Sequence, residues 1–322
     1  MMKLTDLYRH IKKDLQLIEN ELELSVSAEH PILEDAGRQL LKAGGKRIRP
    51  VFVLLSAHFG DYNIEIVKRV AVALELIHMA SLVHDDVIDD ADLRRGEKTV
   101  KSMYDNKVAM YTGDFMFARA LEQITHIQIP RAHQILAHCF KEMCIGEIQQ
   151  IKEQYDLNQH FRHYLRRIKR KTALLIAMSC QLGAISTNAP LNYQRELFNF
   201  GYSVGMAYQI TDDILDFTGT EKQLGKPAGG DLKQGNITLP VLHTMKNRPE
   251  IVDEIKQYYK TFDDRTLQRL IQEIKENGSV EYASNIANVY LDRAFLAVNK
   301  LPGGQAKTSL IKIAKYIGKR KF

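Results

Sequence analysis

Apolar side chains recur every three or four residues along almost the whole chain, the period of a helix with one face turned inward. From Ile66 the stripe passes through Val70, Ala73, Leu74, Ile77 and Ser81. From about Arg195 to Phe217 a second stripe carries Phe198, Tyr202, Gly205 and Gln209. The stretch Thr172 to Leu182 is apolar almost all round, as expected of a helix buried on every side. Alternating strand segments and two-residue hairpin turns are not evident. Breakers fall at Gly44-Gly45, Pro50, Gly60, Gly96, Pro130, Pro190, Pro249 and Pro302-Gly303-Gly304, and none opens a low-complexity linker. With 322 residues, 45% of them hydrophobic, the chain can fill a large core. The expectation is a single all-α domain over residues 1–322. One connection is unusually long and glycine-rich, Thr218 to Pro240, and a loop of that kind at 219–240 is expected to act as a lid.

Charge narrows the partners. The 45 basic and 39 acidic residues are interleaved, for a net charge of +6. That balance suits small anionic substrates or weak attraction to a membrane surface. No basic stripe with interleaved aromatics is present, which argues against nucleic acid as a partner. Cys139, Cys144 and Cys180 are too few and scattered for a disulfide framework and are expected to be reduced core thiols. The N-terminus lacks an apolar signal core, and no uncharged apolar run reaches the ~18 residues of a membrane span. The expected location is cytoplasmic, with peripheral membrane contact at most.

Residues 84 to 95 read His-Asp-Asp-Val-Ile-Asp-Asp-Ala-Asp-Leu-Arg-Arg. Asp85 and Asp89 are four apart, so on a helix their carboxylates share a face one turn apart. They fall near the C-terminal end of the periodic segment, where the helix dipole disfavours anions. Such a cluster needs counter-charge. Arg94 and Arg95 supply part of it, and Mg²⁺, held by one or two carboxylates together with phosphate oxygens, suits the remainder. Alone, the cluster reads equally well as a solvated acidic helix end. The second cluster changes that balance. Asp212-Asp213-Ile214-Leu215-Asp216 repeats the D-D-x-x-D spacing on another periodic helix, with Gln209 one turn before it. Two such helices facing each other would gather their carboxylates around shared cations, a usual arrangement in bundle cores.

The cations needed by an anionic ligand are present too. Gly44-Gly45-Lys46-Arg47-Ile48-Arg49-Pro50 is a basic turn leading into an apolar helix, where a helix N-terminus and an Arg fork favour phosphate. Arg166, Arg167, Lys169, Arg170 and Lys171 form a basic run, ordinarily a solvated face, in which Lys171 adjoins the apolar stretch and is best placed to point inward. Lys226, Asp231 and Lys233 sit in the glycine-rich segment. His78 lies two turns before Asp85 on the same face, placed either for core packing or for a phosphate contact. His160 and His163 stand in a polar, basic stretch and read as surface residues; Lys319-Arg320-Lys321 complements a helix dipole or folds over a phosphate.

In this ordered set the chain resembles the trans-isoprenyl diphosphate synthases, or polyprenyl synthetases, over essentially its full length. The elements that carry the likeness are Gly44–Pro50, His84–Arg95, Lys171-Thr172, Tyr208–Asp216 and Gly225–Pro240. The resemblance implies an isoprenoid synthase helical bundle around a deep central cavity, usually dimeric, with about three Mg²⁺ ions. It implies that Lys46, Arg49, His78 and Arg95 bind isopentenyl diphosphate. Asp85, Asp89 and Asp212 would coordinate Mg²⁺, with Asp216 in support. Arg94, Lys171 and Lys226 would hold the allylic diphosphate, and Thr172 and Gln209 would face the developing carbocation. Asn236 departs from the lysine of many relatives, and together with the terminal Gly-Lys-Arg-Lys-Phe it is similar to enzymes making medium-length chains. Those are large catalytic components that work with a dissimilar small subunit; a self-sufficient homodimer, or a non-catalytic subunit on the same fold, is the alternative. Ser81 is one turn before Asp85 and Ala80 adjoins it, so small side chains there leave a product tunnel open, with Ile77 the next position down at a ~5.4 Å rise per turn.

Overall fold

The computed structural model describes residues 4–94, 96–219 and 228–319. A 3₁₀ turn, Leu4–Ile11, leads into α1 (Lys12–Ser25), α2 (Pro31–Lys42), α3 (Ile48–Ala57) and α4 (Ile64–Ile88). A strand pair follows, β1 (Leu93–Arg94) and β2 (Glu97–Lys98), then α5 (Val100–Met103), α6 (Asn106–Thr125), α7 (Pro130–Glu153) and α8 (Phe161–Ile168). After a π-helical turn at Lys169–Ala173 come α9 (Leu174–Ile185), α10 (Leu191–Thr218), α11 (Gly230–Lys233) and α12 (Leu239–Asn247). The chain closes with α13 (Ile251–Thr261), α14 (Asp264–Glu276), α15 (Ser279–Asn299) and α16 (Gln305–Gly318). The all-α expectation holds, and no described helix is long and apolar enough to cross a membrane.

The fold groups into two compact units. The first comprises Met1–Ala137, Met178–Phe198 and Lys300–Leu310. Its spine is α4, which packs on α6, α3 and α1. Between Val70 and Ala80 every residue of α4 except His78 is buried, so the helix is covered on nearly all sides. Glu75 lies in that covered stretch and is matched by Arg47, whose guanidinium also bonds Glu19 on α1 (3.2 and 2.7 Å). Arg47 caps α3 in the left-handed region at φ 45°. The helix therefore starts at Ile48, earlier than the sequence suggests: Arg49 is helical, and Pro50 sits in the first turn, where a missing N–H costs little.

The second unit comprises His138–Ala177, Asn199–Asn299 and Ile311–Phe322. Its core gathers Tyr164, Phe217, Tyr258, Leu270, Ile274 and the inward faces of α12 and α15. The basic run before Thr172 is not the solvated face expected of it. Arg167 is buried and donates to Glu153 (3.1 Å), Gln159 (2.7 Å) and the carbonyl of Ile237. A helix can carry a cation inward once acceptors are arranged around it, which charge counting along the chain does not reveal.

Three smaller expectations are corrected. The strand pair is antiparallel with Leu93 opposite Lys98, too short to show alternation in sequence. The segment from Thr218 to Pro240 is not one loop, because α10 reaches Thr218, α11 occupies Gly230–Lys233 and α12 begins at Leu239. Cys139 and Cys180 are core thiols, with burial pushing Cys180 up to about 12, whereas Cys144 is exposed. Residues 220–227, Arg95 and 320–322 lie outside the described part, and with them the expectations placed on Lys226, Arg95, Arg320 and Lys321.

Candidate active site

In the first unit the acidic motif ends α4. Asn63 caps the helix start by accepting from the Glu65 N–H (3.0 Å), and after 25 helical residues Asp89 is the C-cap, its N–H bonded to the Asp85 carbonyl (2.8 Å). The motif thus sits where the dipole is most hostile to anions. Its members are treated differently. Asp86 is buried, which pushes its carboxyl up, and Arg94 opposes that shift with Nε and Nη2 each 2.8 Å from Oδ1. In this state the Arg94 guanidinium, expected to bind the allylic diphosphate, is engaged by the protein's own carboxylate. Lys101 pairs with Asp90, a cation the sequence reading passed over. Asp85 and Asp89 are half-buried, one turn apart at the helix end.

His84 anchors this end of α4 to α6. Its Nε2 is 3.1 Å from the Met110 carbonyl and 3.5 Å from Asp114, and its ring meets Phe117 edge-on. The approach is possible because position 113 is glycine: a Cβ there would stand 2.2 Å from His84 Nε2. Lower on α4, Ala80 and Ile77 are buried and Ser81 is half-buried, its hydroxyl turned to the His78 carbonyl (2.8 Å). Lys46 is exposed in the α2–α3 turn, and Arg49 and His78 are half-buried on α3 and α4.

In the second unit the structure draws Thr172, Gln209 and the second acidic motif together. The π turn is closed by the Leu174 N–H reaching the Lys169 carbonyl, a local widening of the helix often found at functional sites. Around it, Arg170 bonds Glu142 (3.0 Å) and Gln149 (2.8 Å) and Lys171 bonds Glu147 (2.9 Å), while Thr172 faces α10. Gly205 permits this: a Cβ there would be 2.6 Å from Ala173 Cα, so only glycine lets α10 come this close. One turn on, Gln209 accepts from the Thr172 hydroxyl (2.7 Å) and donates to Asp213 (2.9 Å).

Asp213 also accepts from Tyr164 (2.7 Å). Burial pushes its carboxyl up, and the neighbouring Asp231 adds to that shift. Tyr164 was not singled out in the sequence; its place two turns before Thr172 was the available signal. Residues 229–231 fold against the same helix, with the Gly229 N–H on the Asp216 carbonyl (2.8 Å) and the Asp231 N–H on Asp216 Oδ2 (3.1 Å). Asp212 is half-buried and Asp216 buried. His160 and His163 stack at 5.4 Å and cap the start of α8, a structural surface role.

Among the described residues no three His, Cys, Asp or Glu side chains form a metal cage. Each unit instead offers carboxylates spaced one helical turn apart. That donor set fits Mg²⁺, which keeps several waters and takes other ligands from substrate phosphates.

Residues 30–276 match the polyprenyl synthetase family. The chain belongs to that family. It is a prenyltransferase of the chain-elongating kind. It is 56% identical to "Heptaprenyl diphosphate synthase component 2" of Bacillus subtilis (strain 168), over 100% of this chain and 92% of that one. The crystal structure of heptaprenyl diphosphate synthase from Staphylococcus aureus superposes with a TM-score of 0.93 at 41% identity, covering 96% of this chain and 98% of that one. The polyprenyl synthase of Caulobacter crescentus CB15, solved with calcium and isoprenyl diphosphate, gives 0.94 at 29% identity, covering 99% and 98%.

Proposed function

We propose that the chain adds isopentenyl diphosphate units head-to-tail to an allylic diphosphate, with farnesyl diphosphate as primer and all-trans heptaprenyl diphosphate as product. The product would serve as a quinone side chain, and the whole of 1–322 would act as one polyprenyl synthase domain. The single observation that carries the reading is the paired D-D-x-x-D spacing, Asp85/Asp89 and Asp212/Asp216, on helices of a chain 56% identical to a heptaprenyl enzyme component. That relative's name also supports a dissimilar small subunit as partner.

Asp85, Asp89 and Asp212 would hold Mg²⁺, about three ions by resemblance to the family, with Asp216 in support, and the bound metal would supply charge neutralisation for the leaving diphosphate. Lys171 and Lys226 hold the allylic diphosphate, joined by Arg94 when it leaves Asp86. Lys46, Arg49, His78 and Arg95 hold isopentenyl diphosphate. As the carbon–oxygen bond breaks, the Thr172 and Gln209 oxygens face the positive charge and lower its energy electrostatically. The alkene of isopentenyl diphosphate supplies the electron pair for the new carbon–carbon bond, and the proton then lost goes to the departed diphosphate. The 219–240 segment excludes water, which would otherwise quench the cation.

The test is incorporation of radiolabelled isopentenyl diphosphate with Mg²⁺ into wild type, Asp85→Ala and Asp212→Ala. Extract of the producing cells supplies any partner. Loss of at least about 10³-fold in both variants supports the assignment, on the scale of removing a preorganised charge-stabilising group. Wild-type rates in either variant remove that aspartate from the metal site.

A further inference from the structure

Tyr164, Asp213, Gln209 and Thr172 form one hydrogen-bonded chain inside the second unit, and its direction follows from Asp213 Oδ1 acting as an acceptor. Tyr164 OH donates to Asp213 Oδ2 (2.7 Å) and Gln209 Nε2 donates to Asp213 Oδ1 (2.9 Å). Thr172 Oγ1 then donates to Gln209 Oε1 (2.7 Å). A primary amide has one donating end and one accepting end, whereas a hydroxyl has one hydrogen and two lone pairs. With its NH₂ drawn to an accepting oxygen, Gln209 must turn its carbonyl to Thr172. Thr172 must then spend its only hydrogen there, leaving both lone pairs for its other side. A proton on Asp213 Oδ2 does not change this, because Oδ1 still accepts.

We infer that Asp213, braced by Tyr164, is a positioning residue that sets the direction of this chain, so that Thr172 presents lone pairs rather than its hydrogen to the positive charge on the allylic carbon. The inference rests on the proposed prenyl transfer. It separates Asp213 from its neighbours in the motif, since both of its oxygens are committed to protein donors. Tyr164 is fully buried and Asp213 is 3% exposed, so water does not substitute for either bond.

Asp213→Asn keeps the shape but offers an NH₂ to Gln209. The amide can then flip, reversing Thr172. Tyr164→Phe removes the brace by a single oxygen and carries the same experiment if Asp213→Asn does not fold. The decisive measurement is a double-mutant cycle on kcat with Thr172→Val, assayed with farnesyl and isopentenyl diphosphates, Mg²⁺ and producing-cell extract.

Each single variant is expected to lower kcat by roughly 10²- to 10³-fold, as for loss of one preorganised dipole. Both KM values should hold to about twofold, the pattern of a group acting only in the transition state. In the Thr172→Val background the Asp213 or Tyr164 change should cost less than about threefold more, because the groups act as a unit. Thr172→Ser should retain near-native kcat and remain sensitive to Asp213→Asn. Additive losses, or losses in KM that track lowered melting temperature, overturn the inference and leave prenyl transfer standing. A wild type that incorporates no isopentenyl diphosphate overturns both.

Discussion

Arg167→Ala should be among the most damaging single changes in the second unit. The Arg167 side chain is 6% exposed and its partner Glu153 13% exposed. Gln159 is buried beside them, and the guanidinium also lies 5.8 Å from the Tyr164 ring centre. Alanine leaves a nearly buried carboxylate, a buried amide and the Ile237 carbonyl without their shared donor. Breaking a buried pair by removing one partner costs about 3–5 kcal/mol, since the remaining charge keeps its desolvation penalty. For a chain of this length that lowers the melting midpoint on the order of 5–10 °C. Arg167→Lys should recover less than half, because a compact ammonium lacks the planar fork with which Arg167 reaches its acceptors from two nitrogens. The damage should reach function, because Ile237 belongs to the segment that brings the Asp231 N–H to Asp216. Below the unfolding transition kcat/KM should already be reduced. Thermal and urea unfolding followed by circular dichroism make the measurement. A shift under about 1 kcal/mol with unchanged m-value would refute the reasoning.

Other perturbations test separate parts of the site. Gly113→Ala forces a Cβ to within 2.2 Å of His84 Nε2, so it should cost about 1–3 kcal/mol and disturb the adjacent Asp85; adding His84→Ala should restore much of the stability. Ala80→Phe with Ser81→Phe should shorten the product, read by chromatography of the dephosphorylated alcohols, and an unchanged length would remove these residues as the tunnel floor. His243 contacts Ser279 (2.9 Å) and stacks on Tyr282 (4.1 Å), and burial lowers its pKa. The unfolded imidazole titrates near 6.5. Stability from this site is therefore complete above that pH and falls as pH drops through 6.5 toward the folded value. His243→Gln should flatten the acid side of a melting-temperature profile, and an unchanged profile would assign the acid sensitivity elsewhere.

Fold class was legible because a 3.6-residue period survives in α4 and α10 over 25 and 28 residues, long enough to leave no other reading. The aspartate spacing was legible for the same reason, since residues four apart on a helix share a face whatever surrounds them. The partners of the charges were not legible. Arg94 with Asp86 and Arg167 with Glu153 bring together residues eight and fourteen positions apart through turns that no periodicity encodes. The π turn at Lys169–Ala173 is equally silent, and so was Tyr164, whose hydroxyl gains meaning only once α10 lies close enough through Gly205.

The central claim is elongation to heptaprenyl diphosphate with a second subunit, and product length tests it most directly. The assay uses labelled isopentenyl diphosphate, farnesyl diphosphate and Mg²⁺, with the purified chain alone and with producing-cell extract. A seven-unit product that appears only with extract is the predicted result. Product of any length from the chain alone would contradict the two-subunit account, and a product other than seven units with extract present would contradict the heptaprenyl assignment.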